Sequence, residues 1–241
     1  MESSNKLKVE IWSDVMCPFC YIGKRRLESA IEKFPHKEDI EIEWKSFQLD
    51  PTTTSQPGVD AYDYLAKRYG KDRQWSVEMH QNVTQQAKDA GLDYRFDKAV
   101  IANSMDAHRL SHLAKVHGVG NEMEEIIFRA YFTEGKDVAD HATLIALGKE
   151  AGLDAEAVGS MLNSNLYADE VRQDIAEAQQ IGVRGVPFFV MDRKYAVSGA
   201  QPAEVFMETL EKSWSDWAGK GGNDNSGTAE GPVCAPGEAC D

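Results

Sequence analysis

A chain of 241 residues with 42% hydrophobic side chains is long enough to bury a sizeable core, as one large domain or two small ones. Its formal net charge of -14 repels phosphate backbones and anionic lipid head groups, which sets aside nucleic acid and membrane surfaces as partners. The opening M-E-S-S-N-K-L-K-V-E lacks the apolar run of a secretory leader, and no later stretch approaches the roughly eighteen apolar residues of a membrane span, so a cytoplasmic protein is expected.

Leu7, Val9 and Ile11 alternate with Lys8, Glu10 and Trp12, the period of a strand whose two faces meet different surroundings. That strand ends at M-C-P-F-C-Y. From Pro18 the period changes, with Ile22, Leu27, Ile31 and Phe34 near helical spacing and Pro35 ending the segment. A second strand is expected from Ile40 to Leu49, closed by the loop D-P-T-T-T-S-Q-P-G. Helices are then expected near Ala61 to Tyr69, Arg73 to Ala90, Lys98 to His117, Glu122 to Phe132, Ala142 to Ala151, Ala155 to Leu162 and Asp169 to Ile181. The phrases K-D-A-G-L-D and K-E-A-G-L-D each read as a helix stop, with glycine in a left-handed cap and leucine packing back, rather than as a repeat.

After Gly185 the strand signal returns in V-P-F-F-V-M and K-Y-A-V-S, a hairpin-like pair joined by Asp192 and Arg193. An amphipathic helix through Val205, Phe206, Leu210 and Trp214 follows. Beyond Trp217 the stretch G-K-G-G-N-D-N-S-G-T-A-E-G-P cannot bury enough apolar surface to order itself, and it ends in C-A-P-G-E-A-C-D. The order is therefore an α/β lobe, residues 1–52 and 182–218, split by a helical insertion, 53–181, and followed by a flexible tail, 219–241.

The four cysteines form two close pairs, a usage unlike the dense disulfide framework of a small secreted domain. Cys17 and Cys20 sit where a strand hands over to a helix. A thiol reacts as its thiolate, and the unpaired N–H groups and positive dipole end of a first helical turn favour negative charge on Cys17. Pro18 suits that turn, having no N–H to leave unpaired. Cys20 is close enough to resolve a mixed disulfide formed at Cys17. A structural zinc site would need four ligands, and the second pair, Cys234 and Cys240, is spaced differently on a flexible tail. His108 and His112 stand i, i+4 but have no carboxylate between them as in a zinc-protease motif, so no metal is expected there.

These features, with C-P-F-C-Y-I-G-K, N-S-M-D-A-H-R-L, A-Y-F-T-E-G and V-P-F-F-V followed by S-G-A-Q, resemble the DsbA superfamily and more narrowly its FrnE-like branch, over about Val9 to Trp217. The resemblance implies a thioredoxin fold with a large all-helical insertion and a thiol-disulfide oxidoreductase that acts on protein or peptide thiols. Glutathione or a thioredoxin system would be the co-substrate. It implies a cis peptide between Val186 and Pro187 that faces the cysteines, with the Val186 backbone pairing with substrate. A plain trans proline starting a strand is the reading of the residues alone. Phe19, where the family more often has tryptophan, would present apolar surface to substrate. Asn103, His108 and Arg109 would lie on a helix facing the redox centre, the other reading being a satisfied helix-surface histidine and arginine. Asp14 either tunes the proton balance or satisfies backbone donors of the turn.

Pro236-Gly237 favours a turn, so Cys234 and Cys240 can close a disulfide of their own. The linker before them spans roughly 20 Å root mean square, comparable with the ~18 Å radius of gyration of such a chain, so the tail pair could relay electrons to Cys17 and Cys20. No cofactor is needed, since the cysteines hold the electrons. Two other functions fit parts of the pattern: a glutathione-dependent transferase or isomerase of the kappa or hydroxychromene-carboxylate type, which carries serine near the first cysteine position, and a peptide-binding holdase. Oligomeric state and the direction of electron flow stay open at this level.

Overall fold

A computed structural model describes residues 6–221. Strand β1 (Leu7–Ser13) leads into helix α1 (Pro18–Lys33), and β2 (Ile40–Ser46) follows. Seven helices come next: α2 (Ala61–Tyr69), α3 (Arg73–Asp89), α4 (Met105–Val116), α5 (Gly120–Phe132), α6 (His141–Glu150), α7 (Ala155–Leu162) and α8 (Ala168–Gln180). The chain then forms β3 (Phe188–Met191), β4 (Tyr195–Ser198) and α9 (Ala203–Gly221), which runs on past residue 218.

The sheet has the order β2-β1-β3-β4, with β1 and β2 parallel and β3 antiparallel to both β1 and β4. Alternation along β1 decides what each face meets. Leu7, Val9 and Ile11 join the core beneath α1 and α9, whereas Trp12 turns to the other face with Val190. There Ala178 of α8 covers it, and the Trp12 indole N–H donates to the Asp174 carbonyl at 3.0 Å. The last helix of the long insertion is thus one of the two layers that sandwich the sheet.

Asp174 fastens that layer. Its carboxylate accepts the Ser46 backbone N–H at 2.9 Å, meets His112 Nε2 at 3.0 Å and lies 3.3 Å from Lys45 Nζ. His112 is therefore held by an aspartate of α8, and His108, one turn earlier, faces a different one.

The expected helix stops are present. Gly91 and Gly152 take φ of 78° and 87°, and the Leu92 and Leu153 N–H groups reach back to the Ala87 and Gly148 carbonyls at 2.8 and 2.9 Å. The β3–β4 connection is also as its residues suggest, since Asp192 and Arg193 both have positive φ and the Lys194 N–H closes on the Met191 carbonyl at 3.0 Å. Arg193 is anchored by Glu10 and Glu177.

Two expected boundaries move. The strand expected to Leu49 stops at Ser46 because its ladder partner β1 ends at Ser13, and the Leu49 N–H is taken instead by the Asp14 carboxylate at 2.7 Å. The helix expected from Lys98 begins only at Met105. Ile101 forms a bridge with Gln56, and the Asn103 side chain accepts the Met105 N–H at 2.9 Å while donating to the Thr53 carbonyl at 2.7 Å. A side chain that serves the backbone in this way competes with helix continuation.

Candidate active site

Cys17 is the residue immediately before α1, in extended conformation with φ -92° and ψ 112°, and Pro18 opens the helix. The turn behind it is built by Asp14, whose carbonyl accepts the Cys17 N–H at 2.9 Å and whose carboxylate accepts the N–H groups of Met16 at 3.2 Å and Leu49 at 2.7 Å. Asp14 thus satisfies backbone donors and ties the redox loop to the segment after β2. Tyr94 closes the opposite side, its hydroxyl donating to the Pro18 carbonyl at 2.6 Å. Nothing local marks Tyr94, which arrives from the chain after α3.

Both thiols are free and nearly covered, Cys17 at 4% exposure and Cys20 at 1%. Burial, reinforced by the adjacent Cys17, pushes the Cys20 thiol well above its ordinary value. The Cys17 S–H donates to the Val186 carbonyl at 3.4 Å. The Val186–Pro187 peptide is cis, and the Pro187 carbonyl accepts the Gly199 N–H at 2.8 Å. Val186 and Pro187 line a cleft of about 430 Å3, with Arg184, Phe188, Ser198 and Gly199 on its walls. Phe19 is half-buried and packs on the core.

The helix is set against this proline by Gly23. A Cβ on Gly23 would lie 3.0 Å from Pro187 Cγ and 3.0 Å from Phe189 Cζ, so a hydrogen there lets α1 approach the cis-proline strand. A turn further, Lys24 and Arg25 both pair with Glu28 and with Glu125 of α5. The Tyr21 hydroxyl also donates to Glu125, at 2.5 Å.

His108 comes to the redox loop and Arg109 does not. His108 is 2% exposed, with Nε2 3.6 Å from Asp14 Oδ1, an ion-pair distance too long for a hydrogen bond. Burial alone would lower its pKa, but Asp14 and then Glu124 favour the charged ring and hold it above the ordinary histidine value. Arg109 turns away to tie the loop after α7, donating to the carbonyls of Leu166 at 2.8 Å and of Met161 and Ser164 at 2.5 Å. Asn103 serves the Thr53 loop, as described above. Glu124, buried at 3% exposure, was not singled out by its residue type, although it falls on the apolar stripe of α5 with Ile127 and Phe128. Cys234 and Cys240 lie outside the described residues. Among the described residues no group of three or more His, Cys, Asp or Glu side chains could hold a metal ion, and no helix is long and apolar enough to cross a membrane.

Comparison with known proteins agrees with this geometry. The family model described as a DSBA-like thioredoxin domain matches residues 8–211. The chain is similar to the uncharacterized protein YwbO of Bacillus subtilis, at 30% identity over 86% of this chain and 96% of that one. It is similar to the crystal structure of a probable DsbA oxidoreductase from Streptomyces coelicolor, at 40% identity over 95% of this chain and 97% of that one, with a TM-score of 0.82. The cytosolic disulfide reductase DsbM of Pseudomonas aeruginosa, solved with GSH, shares the fold at 17% identity and a TM-score of 0.60, over 87% of this chain and 100% of that one. A two-cysteine turn at a strand-to-helix junction, a thioredoxin sheet and a helical insertion thus meet in one chain, which belongs to the DSBA-like thioredoxin domain family of thiol-disulfide oxidoreductases.

Proposed function

We propose that the protein exchanges disulfides with protein or peptide thiols through Cys17 and Cys20, as a member of the FrnE-like branch acting in the cytoplasm. The observation that carries this reading is the Cys17 sulfur at 3.4 Å from the carbonyl of Val186, the residue that precedes Pro187 and with it lines the cleft. A substrate strand laid along Val186 would bring its sulfur against Cys17. Cys17 is the nucleophile, at the start of α1 where the dipole favours negative charge. Cys20, one turn on and more deeply buried, is the resolving thiol. Phe19 and Pro18 border the substrate sulfur, and the half-buried Phe19 ring offers it apolar surface.

In the reductive direction the Cys17 thiolate attacks a substrate disulfide and one substrate thiolate leaves. Cys20 then attacks Cys17 Sγ and the second leaves. The two electrons come from the cysteine pair, so the reading requires no bound cofactor. Glutathione is a fitting co-substrate because it is itself a small thiol peptide, and the GSH named with the DsbM structure supports it. A thioredoxin system would serve equally. Cys234 and Cys240 we assign to an internal relay that exchanges with the Cys17–Cys20 disulfide.

The reading is tested by two single variants assayed on a disulfide-linked peptide. Cys17→Ser abolishes exchange, and Cys20→Ser traps a mixed disulfide between Cys17 and the peptide that mass spectrometry detects. Full activity of Cys17→Ser on a glutathione-linked electrophile would assign the protein to transferase chemistry instead. Suppression of client aggregation that survives loss of all four cysteines, without exchange activity, would assign it to holdase function.

A further inference from the structure

The cis-proline loop carries a side chain that the exchange chemistry leaves unused. Arg184 lines the cleft with Val186 and Pro187; of the residues on its walls it is the one that is charged, and none is acidic. Its surroundings are open. Gly182 and Gly185 flank the exposed Arg184, and a Cβ at either glycine would meet nothing within 4 Å. Val183, just before it, is buried and donates its N–H to the Ala178 carbonyl at 2.8 Å, while the Pro187 carbonyl accepts the Gly199 N–H, also at 2.8 Å. Arg184 therefore stands on a short segment pinned at both ends.

In a chain with 40 acidic and 26 basic residues, an arginine should readily find a carboxylate. Every other arginine has an ion-pair or hydrogen-bond partner. Arg184 has none among the described residues. The carboxylates of the adjoining α8 are committed elsewhere, Glu177 to Arg193 and Lys45, and Asp174 to His112 and Lys45. Nor does Arg184 cap α8, whose Glu177, Ala178 and Gln179 carbonyls are taken by the Ile181, Val183 and Gly182 N–H groups. No contact that holds the fold accounts for it. A guanidinium is a planar fork of donors that matches a carboxylate in two parallel hydrogen bonds.

We infer that Arg184 selects peptide substrates that carry a carboxylate close to the reacting cysteine, binding that group as the substrate strand lies along Val186. The inference rests on the disulfide-exchange reading and names its substrate class. Cys17 Sγ lies 3.4 Å from the Val186 carbonyl, and two residues of chain span at most about 7 Å. Arg184 thus reaches a substrate side chain one or two residues from the cysteine. The net charge of -14 opposes the approach of an acidic peptide, but at about 0.1 M salt charges are screened beyond ~10 Å. In the cleft itself the guanidinium then decides which sign of charge is favoured.

The test uses the full chain with Cys234→Ser and Cys240→Ser, so that exchange is read at Cys17 and Cys20 alone. Three disulfide-linked peptides differ only in carrying Glu, Gln or Lys two residues to each side of the cysteine. The readout is the ratio of kcat/KM between peptides. The parent is expected to favour the Glu peptide over the Gln peptide roughly 5-fold at about 0.05 M salt, with the Lys peptide last and the preference fading near 1 M salt. The preference should lie in KM rather than kcat. Arg184→Gln brings the ratio to about 1, Arg184→Lys keeps part of it, and Arg184→Glu inverts it in favour of the Lys peptide. A parent with no preference among the peptides, or a preference that Arg184→Gln leaves intact, overturns the inference and leaves the exchange reading standing. Failure of the parent to exchange with any of the three overturns the exchange reading, and this inference with it.

Discussion

Replacing Gly23 by alanine tests how tightly the redox helix is seated on the cis-proline strand. The new methyl would stand 3.0 Å from both Pro187 Cγ and Phe189 Cζ, inside ordinary carbon contact on two sides. Pro187 is a closed ring, and Phe189 is fully buried against Phe206 at a centroid distance of 4.7 Å, so neither can swing aside. Helix α1 must therefore retreat, at the ~1–3 kcal/mol typical of overpacking. Helix propensity works the other way, favouring alanine over glycine by roughly 1 kcal/mol. Gly159→Ala in α7 isolates that second effect, because its methyl would meet only Ile145 Cδ1 at 3.7 Å. Urea denaturation of the reduced protein should then show Gly159→Ala more stable than wild type by up to about 1 kcal/mol, and Gly23→Ala less stable than Gly159→Ala by ~1–3 kcal/mol. Exchange by Gly23→Ala should also slow, since Cys17 moves with α1. Equal stabilities for the two alanine variants, with unaltered exchange, would refute the close seating.

Asp174→Ala removes the acceptor for Ser46, His112 and Lys45 at once and should cost ~3–5 kcal/mol in denaturant unfolding, whereas an exposed ion-pair partner such as Arg172 should cost under about 1 kcal/mol. Burial pushes the Glu124 carboxyl above its ordinary 4.5, so its contribution is full below about pH 4.5 and is lost as pH rises through its folded value. Glu124→Gln should gain on wild type by about 1.4 kcal/mol per pH unit across that window, and a stability difference that stays flat with pH would contradict the burial argument. His108 acts in the same sense, its stabilisation being full below about pH 6.5 and lost as pH rises through its raised folded value. Cys234→Ser with Cys240→Ser should slow turnover on a protein disulfide without changing the Cys17–Cys20 equilibrium, and unchanged turnover would remove the relay.

The redox loop was legible because the hydrophobic period switches from two to nearly four at Cys17, and because Pro18 fits only the opening of a helix. The glycine stops were legible because Gly-Leu after a lysine-bearing turn leaves few other ways to end a helix. The start of α4 was hidden, since Ala99 to Ala102 is an apolar run that suits helix and bridge alike, and only the distant Gln56 and Thr53 decide between them. Arg109 shared a motif with His108 yet faces the α7 loop, because adjacent helical residues point about 100° apart. Glu124 could have been found as a carboxylate on an apolar stripe, whereas Tyr94 could not, since its partner Pro18 is brought to it only by the packing of α3 on α1.

Cys17 and Cys20 are expected to act as a reversible redox pair. Its most direct measurement is equilibration of the Cys234→Ser, Cys240→Ser chain in glutathione buffers of graded ratio, with acid quench, thiol alkylation and intact mass. A single two-electron transition between dithiol and intramolecular disulfide is expected, lost in either Cys17→Ser or Cys20→Ser. A chain that stays dithiol at every ratio, or that collects only glutathione adducts and never closes the Cys17–Cys20 bond, would contradict it.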